Sequence, residues 1–238
     1  MSVSEEAAGR APTRRERQRR ETVAEIKARA MDQVAEGGAA AVSLNAIARA
    51  MGTSPAALYR YFASRDALLA ELVVEAYGSL ADTLQGAAGG TAGSAPKGGA
   101  ARLMAVAHAY RGWALAHPNS YLLIFTTSSG SGVELAPEAT VTAAQRGMDV
   151  FLSALAGAPA EGGTRLSPEL ADQIRAWGQR SQAPEMTAGR LYLGLLAWTR
   201  LHGLISLELG HHLEATGVDP ALLYDAEVQS LAERARLS

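Results

Sequence analysis

The sequence predicts an all-α protein, an N-terminal three-helix module followed by a larger C-terminal helical bundle. Three observations predict it. Apolar residues recur at helical spacing through almost the whole chain, no run alternates long enough to make a strand, and the helical segments are punctuated by capping residues, proline and glycine.

The first helix, over about 14–36, puts Val23, Ile26, Ala30 and Val34 on one face. Thr13 with Glu16 forms a capping box at its start, and Gly37-Gly38 closes it, because glycine tolerates the left-handed backbone that ends a helix. Ser43 caps a second helix with the apolar face Leu44, Ile47, Ala48 and Met51, which stops at Gly52. Ser54-Pro55 then reads as N-cap and first-turn proline of a short third helix, with Leu58 and Phe62 facing inward. Ser64 caps a long fourth helix carrying Leu68, Leu69, Leu72, Val73, Ala76 and Leu80. Residues 86–100 are rich in glycine and alanine and read as a flexible connection, and 157–167 as another loose loop. Further helices are expected near 100–117, 118–128, 138–156, 168–181, 187–213 and 220–236. Pro118, Pro168 and Pro220 suit first turns, the last two behind Ser167 and Asp219 as caps.

Composition narrows the function. With no cysteine there is no disulfide framework and no cysteine-ligated metal site, which fits a reducing cytoplasm, the expected location. The N-terminal stretch lacks the apolar core of a signal peptide. The most apolar stretch, 191–209, holds Arg200, His202 and Glu208, which argues against a membrane span. The net charge of −2 does not by itself suggest a nucleic-acid partner, but its distribution does: residues 1–66 carry eleven basic against eight acidic residues, so the rest is acidic.

Two short helices joined through a glycine turn are the pattern of a helix-turn-helix, in which the apolar clamp Leu44, Ile47, Met51, Leu58 and Phe62 holds the second helix at the angle that enters a major groove. The outward residues of that second helix are short or hydrogen-bonding, among them Thr53, Ser54, Pro55, Ala56, Ala57, Tyr59, Arg60 and Tyr61. Residues 42–69, VSLNAIARAMGTSPAALYRYFASRDALL, resemble the DNA-binding segment of the tetracycline-repressor (TetR) family through Gly52, Ser54, the run Tyr59-Arg60-Tyr61-Phe62 and Arg65. The resemblance covers about 14–80. It implies phosphate contacts from Ser43, Ser54, Tyr59, Tyr61 and Arg65, and base reading by Asn45, Pro55, Ala56, Ala57 and Arg60, with Thr53 beside them. The arginines Arg14, Arg15, Arg17, Arg19 and Arg20 are placed to follow phosphates or reach an adjacent minor groove. The domains expected are a disordered arm at 1–13, the helix-turn-helix at 14–63, and an effector-binding and dimerisation domain at 64–238.

In the C-terminal part, Trp198, His202 and Gly203, with Tyr110, Trp113, His117, Pro118 and Tyr121 upstream, resemble a TetR subclass marked by tryptophan, histidine and glycine. Tyr110, Trp113, Phe125, Trp198 and His202 concentrate aromatic area in an aromatic-poor chain and are the candidate small-molecule site. The helix at 187–213 is apolar on more than one side. With 220–236 it is expected to form the homodimer interface, Gly189, Gly194, Ala197 and Gly203 permitting close approach. The reading is therefore a ligand-responsive repressor on palindromic double-stranded operator DNA. It is not an enzyme and has no cofactor or metal. An activator of the same fold is the alternative. A metal-dependent helical enzyme is weaker: Glu208, His211, His212 and Glu214 have usable spacing but lack an open-site motif, and a helix C-terminus favours histidine anyway.

Overall fold

The computed structural model describes residues 13–89, 96–126, 137–155, 166–181, 183 and 185–237. The expected arm at 1–13 lies outside them except for Thr13, as do most of the loop at 157–167 and the middle of the 86–100 connection. The described residues hold α-helices and short 3₁₀ turns and no strand. They divide into two compact units, one comprising the residues up to Leu72 together with Thr126, the other Val73–Phe125 and the residues from 137 onward.

In the first unit, α1 spans Arg14–Gly37. Its capping box closes both ways: Glu16 N–H donates to Thr13 Oγ1 at 3.2 Å and Thr13 N–H to Glu16 Oε2 at 2.7 Å. These bonds hold the Glu16 carboxyl below its ordinary range. Gly38, at φ +70°, ends the helix by donating to the Val34 carbonyl. A 3₁₀ turn at Ala39–Ala41 leads to α2, Leu44–Ala50, capped by Ser43. Gly52 turns the chain at φ +64°, and α3, Pro55–Leu58, starts on the Ser54 cap. It is shorter than expected, passing into turn before Phe62, yet Leu58 and Phe62 are both buried. Ile26, Ala30, Val34, Leu44, Ile47 and Ala48 complete this core, so the helical faces read from the sequence are the faces that pack.

Helix α4, Arg65–Gly89, begins in the first unit and continues into the second. Ser64 caps it, its Oγ accepting from Ala67 N–H at 3.0 Å. It runs through the first residues assigned to a flexible connection, because alanine and an occasional glycine cost a long helix little. The second unit continues with α5 (Gly99–Ala116), α6 (Pro118–Thr126), α7 (Pro137–Ala154), α8 (Pro168–Arg180), α9 (Ala188–Leu209) and α10 (Pro220–Leu237). Helix α9 stops short of 213: Gly210 caps it, His211 takes φ +58°, and a 3₁₀ turn at Glu214–Thr216 follows. Helix α10 packs on α5 and α9, α7 on the same two, and α8 on α9.

Two glycines explain the close fit around α9. A Cβ on Gly194 would meet Leu152 Cδ2 at 2.6 Å, and one on Gly178 would meet Leu191 Cδ1 at 2.5 Å. This corrects one expectation. Gly194 and Ala197 are buried within the protomer, where α9 meets its own neighbours, and are not free to receive a second copy. Gly189 and Gly203 stay partly exposed.

Candidate nucleic-acid interface and ligand cavity

The first unit presents the outward residues of α2 and α3 as a polar, cationic surface. Asn45, Ser54, Pro55, Ala56, Tyr59 and Arg60 are exposed, while Ser43, Thr53, Ala57, Tyr61 and Arg65 are partly buried. Ser43 and Ser54 spend their hydroxyls as caps, accepting from Ala46 and Ala57 N–H at 3.3 Å each. Each hydroxyl keeps its own proton, which a phosphate oxygen can accept. Arg14, Arg15, Arg19, Arg60 and Tyr61 surround an open hollow of about 900 Å³. The Arg19 guanidinium sits over the Tyr61 ring, 5.2 Å from its centroid, so the ring is packed under a cation. The sequence treats the arginine cluster and the recognition helix as separate features. The fold brings them to one surface.

Arg65 is placed differently from a simple phosphate contact. Its Nε donates to the Val42 carbonyl at 3.1 Å and its Nη2 to the Ala39 carbonyl at 2.6 Å, while Nη1 lies 3.4 Å from Asp66 Oδ1. The guanidinium thus satisfies carbonyls in the 3₁₀ turn ahead of α2 and fixes the entry to that helix.

The second unit contains a cavity of about 330 Å³ walled by α4 through α9. Of the five candidate ligand residues, Tyr110, Phe125 and Trp198 line it, and Trp113 and His202 do not. Trp113 is buried in the helix packing, its indole N–H donating to Ser79 Oγ at 3.0 Å. His202 stands behind the wall, stacked between Trp198 and Tyr121. Its Nδ1 lies 2.8 Å from the Tyr121 hydroxyl and 3.2 Å from that of Tyr110. Burial lowers the pKa of His202 and raises those of both tyrosines, so a neutral imidazole meets neutral phenols here. Trp198 and His202 share a face of α9 but sit one turn apart along it, and only Trp198 borders the void, while His202 is engaged by Tyr121 and Tyr110.

Several lining residues escape the sequence reading. Trp177 and Tyr77 belong to the same sparse aromatic set and could have been found by that signal. Asp149 could not, since an aspartate on an amphipathic helix ordinarily faces water. Among the described residues no three histidine, aspartate or glutamate side chains converge as a metal site. Glu208 instead pairs bidentately with Arg111, at 2.6 and 2.8 Å, and His211 pairs with Glu214. No helix among the described residues is long and apolar enough to cross a membrane.

Comparison with known proteins places both parts of the chain. Residues 26–72 match the family model described as bacterial regulatory proteins, tetR family. Residues 103–231 match that of the tetracyclin repressor-like C-terminal domain. The HTH-type transcriptional regulators Mb1846 of Mycobacterium bovis and Rv1816 of Mycobacterium tuberculosis are each 32% identical over 229 residues, 90% of this chain and 93% of theirs. The crystal structure of the regulatory protein SCO4313 is 39% identical and superposes with a TM-score of 0.74 over 92% of this chain and 98% of that one. The regulator FadR from Bacillus subtilis, solved in complex with stearoyl-CoA, shares the fold at a TM-score of 0.59 and 14% identity, covering 88% of this chain and 97% of its own. A helix-turn-helix with a cationic outer surface, a helical second unit and these matches together show that the chain belongs to the TetR family and is a DNA-binding transcription regulator.

Proposed function

We propose that the protein is a repressor that binds a near-palindromic operator as a homodimer and releases it when a small, largely apolar molecule occupies the cavity of the second unit. The observation that carries this reading is the wall contributed by α4. Tyr77, Leu80 and Leu84 of that helix line the cavity, and the same continuous helix begins at Arg65 in the unit that holds the recognition helix. A ligand pressing on this wall acts on the element that joins the two functions. To release DNA it must prefer the conformation whose reading heads no longer match the operator, since equal affinity for both states shifts nothing. A swing from 99% to 1% competent takes about 5.5 kcal/mol of differential affinity. The stearoyl-CoA held by the Bacillus regulator supports the use of this fold for an effector with an apolar chain.

The exposed apolar side chains of Leu207 at the end of α9 and of Val218, Leu222 and Leu223 around the start of α10 support a dimer through these two helices. Arg60 and the Tyr59 hydroxyl support base and phosphate contacts by the recognition helix. Selection of DNA fragments from a random pool by the purified protein, followed by footprinting, tests the reading. Enriched sequences should form inverted half-sites with centres about 34–36 Å apart. Enrichment of a single, non-repeated half-site would overturn the dimeric operator.

A further inference from the structure

The cavity carries one feature that an apolar effector leaves unused. Asp149, on α7, is the single charged residue among its described lining, which also includes the rings of Trp177, Trp198, Phe125 and Tyr110. Among the described residues no cation or hydrogen-bond donor meets its carboxylate. By contrast Arg146, one turn away on α7, is paired with Asp82 at 2.9 Å. The cavity's other polar groups are neutral, and two are already engaged: the Tyr77 hydroxyl donates to the Ile124 carbonyl at 3.3 Å, and the Tyr110 hydroxyl meets His202. A carboxylate beside an apolar void loses hydration, which no partner among the described residues returns. Burial accordingly holds its pKa above the ordinary aspartate range.

We propose that this cavity selects a lipophilic monocation, an amine or quaternary ammonium with an apolar body, whose charge Asp149 neutralises and whose head the surrounding aromatic rings receive. The proposal rests on the cavity being the effector site. It accounts for both halves of the lining at once: the apolar walls take the body of the ligand, and the unpaired carboxylate with electron-rich rings favours a cation over a neutral or anionic head. The volume, about 330 Å³, suits a small amphiphile and lies at the low end of the usual range for ligand sites.

Isothermal titration of the full-length protein with decyltrimethylammonium, 1-decanol and decanoate, all below their micelle concentrations, tests the selection, because the three share a tail and differ in head charge. The ammonium should bind about tenfold or more tighter than the alcohol, with decanoate weakest. Asp149→Asn should bring the ammonium down to the affinity of the alcohol while leaving the alcohol unchanged. If that variant does not fold, Asp149→Ser replaces it, and the ranking on the wild-type protein decides independently of either. Alcohol or decanoate matching the ammonium, or a preference that survives in the variant, overturns the proposal and leaves the effector cavity standing. Binding by none of the three overturns the cavity as well.

Discussion

The Tyr121 hydroxyl lies 2.8 Å from Nδ1 of His202, and the two rings stack with centroids 5.6 Å apart. The same hydroxyl reaches Ser206 Oγ at 2.8 Å and the His202 carbonyl at 3.1 Å, so one phenol ties α6 to successive turns of α9. Tyr121→Phe keeps the ring stacking and removes these bonds. It should cost about 1–3 kcal/mol of unfolding free energy in urea, because buried partners are left unsatisfied. A cost within error of zero would mean that water replaces the hydroxyl.

The same imidazole predicts a pH dependence. Burial depresses the folded-state pKa of His202, while in the unfolded chain it titrates near about 6.5. Above that value both states are neutral and the stability is fully present. As pH falls through it toward the depressed folded value, the unfolded chain gains a proton that the folded protein refuses, and stability drops. Melting curves of the wild type and His202→Gln between pH 5 and 8 isolate the contribution: their difference should shrink as the pH is lowered.

Trp113 and Trp198 should separate packing from ligand response. Trp113 is buried with its indole N–H bonded, so Trp113→Ala should cost about 3–5 kcal/mol. Trp198 is only partly buried and lines the cavity, so Trp198→Ala should cost less and weaken effector-driven release while leaving operator affinity nearly intact. Paired thermal melts and gel shifts check both; equal destabilisation would assign Trp198 to the core.

Arg60 and Arg65 should differ in the same way. Arg60→Ala should relax base preference at one position per half-site by about 1–3 kcal/mol, measured on operator variants. Equal weakening on specific and random DNA would make Arg60 a phosphate contact. Arg65→Lys keeps the charge but cannot reproduce the fork onto Val42 and Ala39, so it should lower stability by about 1–2 kcal/mol, read from urea melts.

For the dimer, Leu222 is 67% exposed and Leu207 42% exposed. The double substitution Leu207→Glu and Leu222→Glu should leave the fold intact and give monomers at micromolar concentration by sedimentation, with loss of specific operator binding. A persistent dimer would move the interface off these residues.

How far the sequence reaches depends on whether the physics is local. The capping box of Thr13 and Glu16, the left-handed turns at Gly38 and Gly52 and the caps at Ser43, Ser54 and Ser64 involve residues a few positions apart. Their chemistry is therefore complete in the sequence, and each sits where the helical spacing puts it. The helix-turn-helix is legible for the same reason: its clamp and outward face lie on short helices joined by one turn.

The cavity is another matter. Aromatic richness points to Tyr110, Phe125 and Trp198, but helical phase cannot tell a ring that borders a void from one that fills it. Trp113 and His202 fall behind the wall, and Asp149 reaches the void from the same helix on which Arg146 pairs with Asp82. The role of Arg65 is decided similarly, by carbonyls more than twenty positions earlier in the chain. The sequence by itself determined the helices, their ends and the reading module, because those follow from backbone hydrogen bonds closed within a few residues. Tertiary structure alone decided which side chains border empty space and which are spent on one another, because that depends on how the long helices pack across distances the local pattern does not encode.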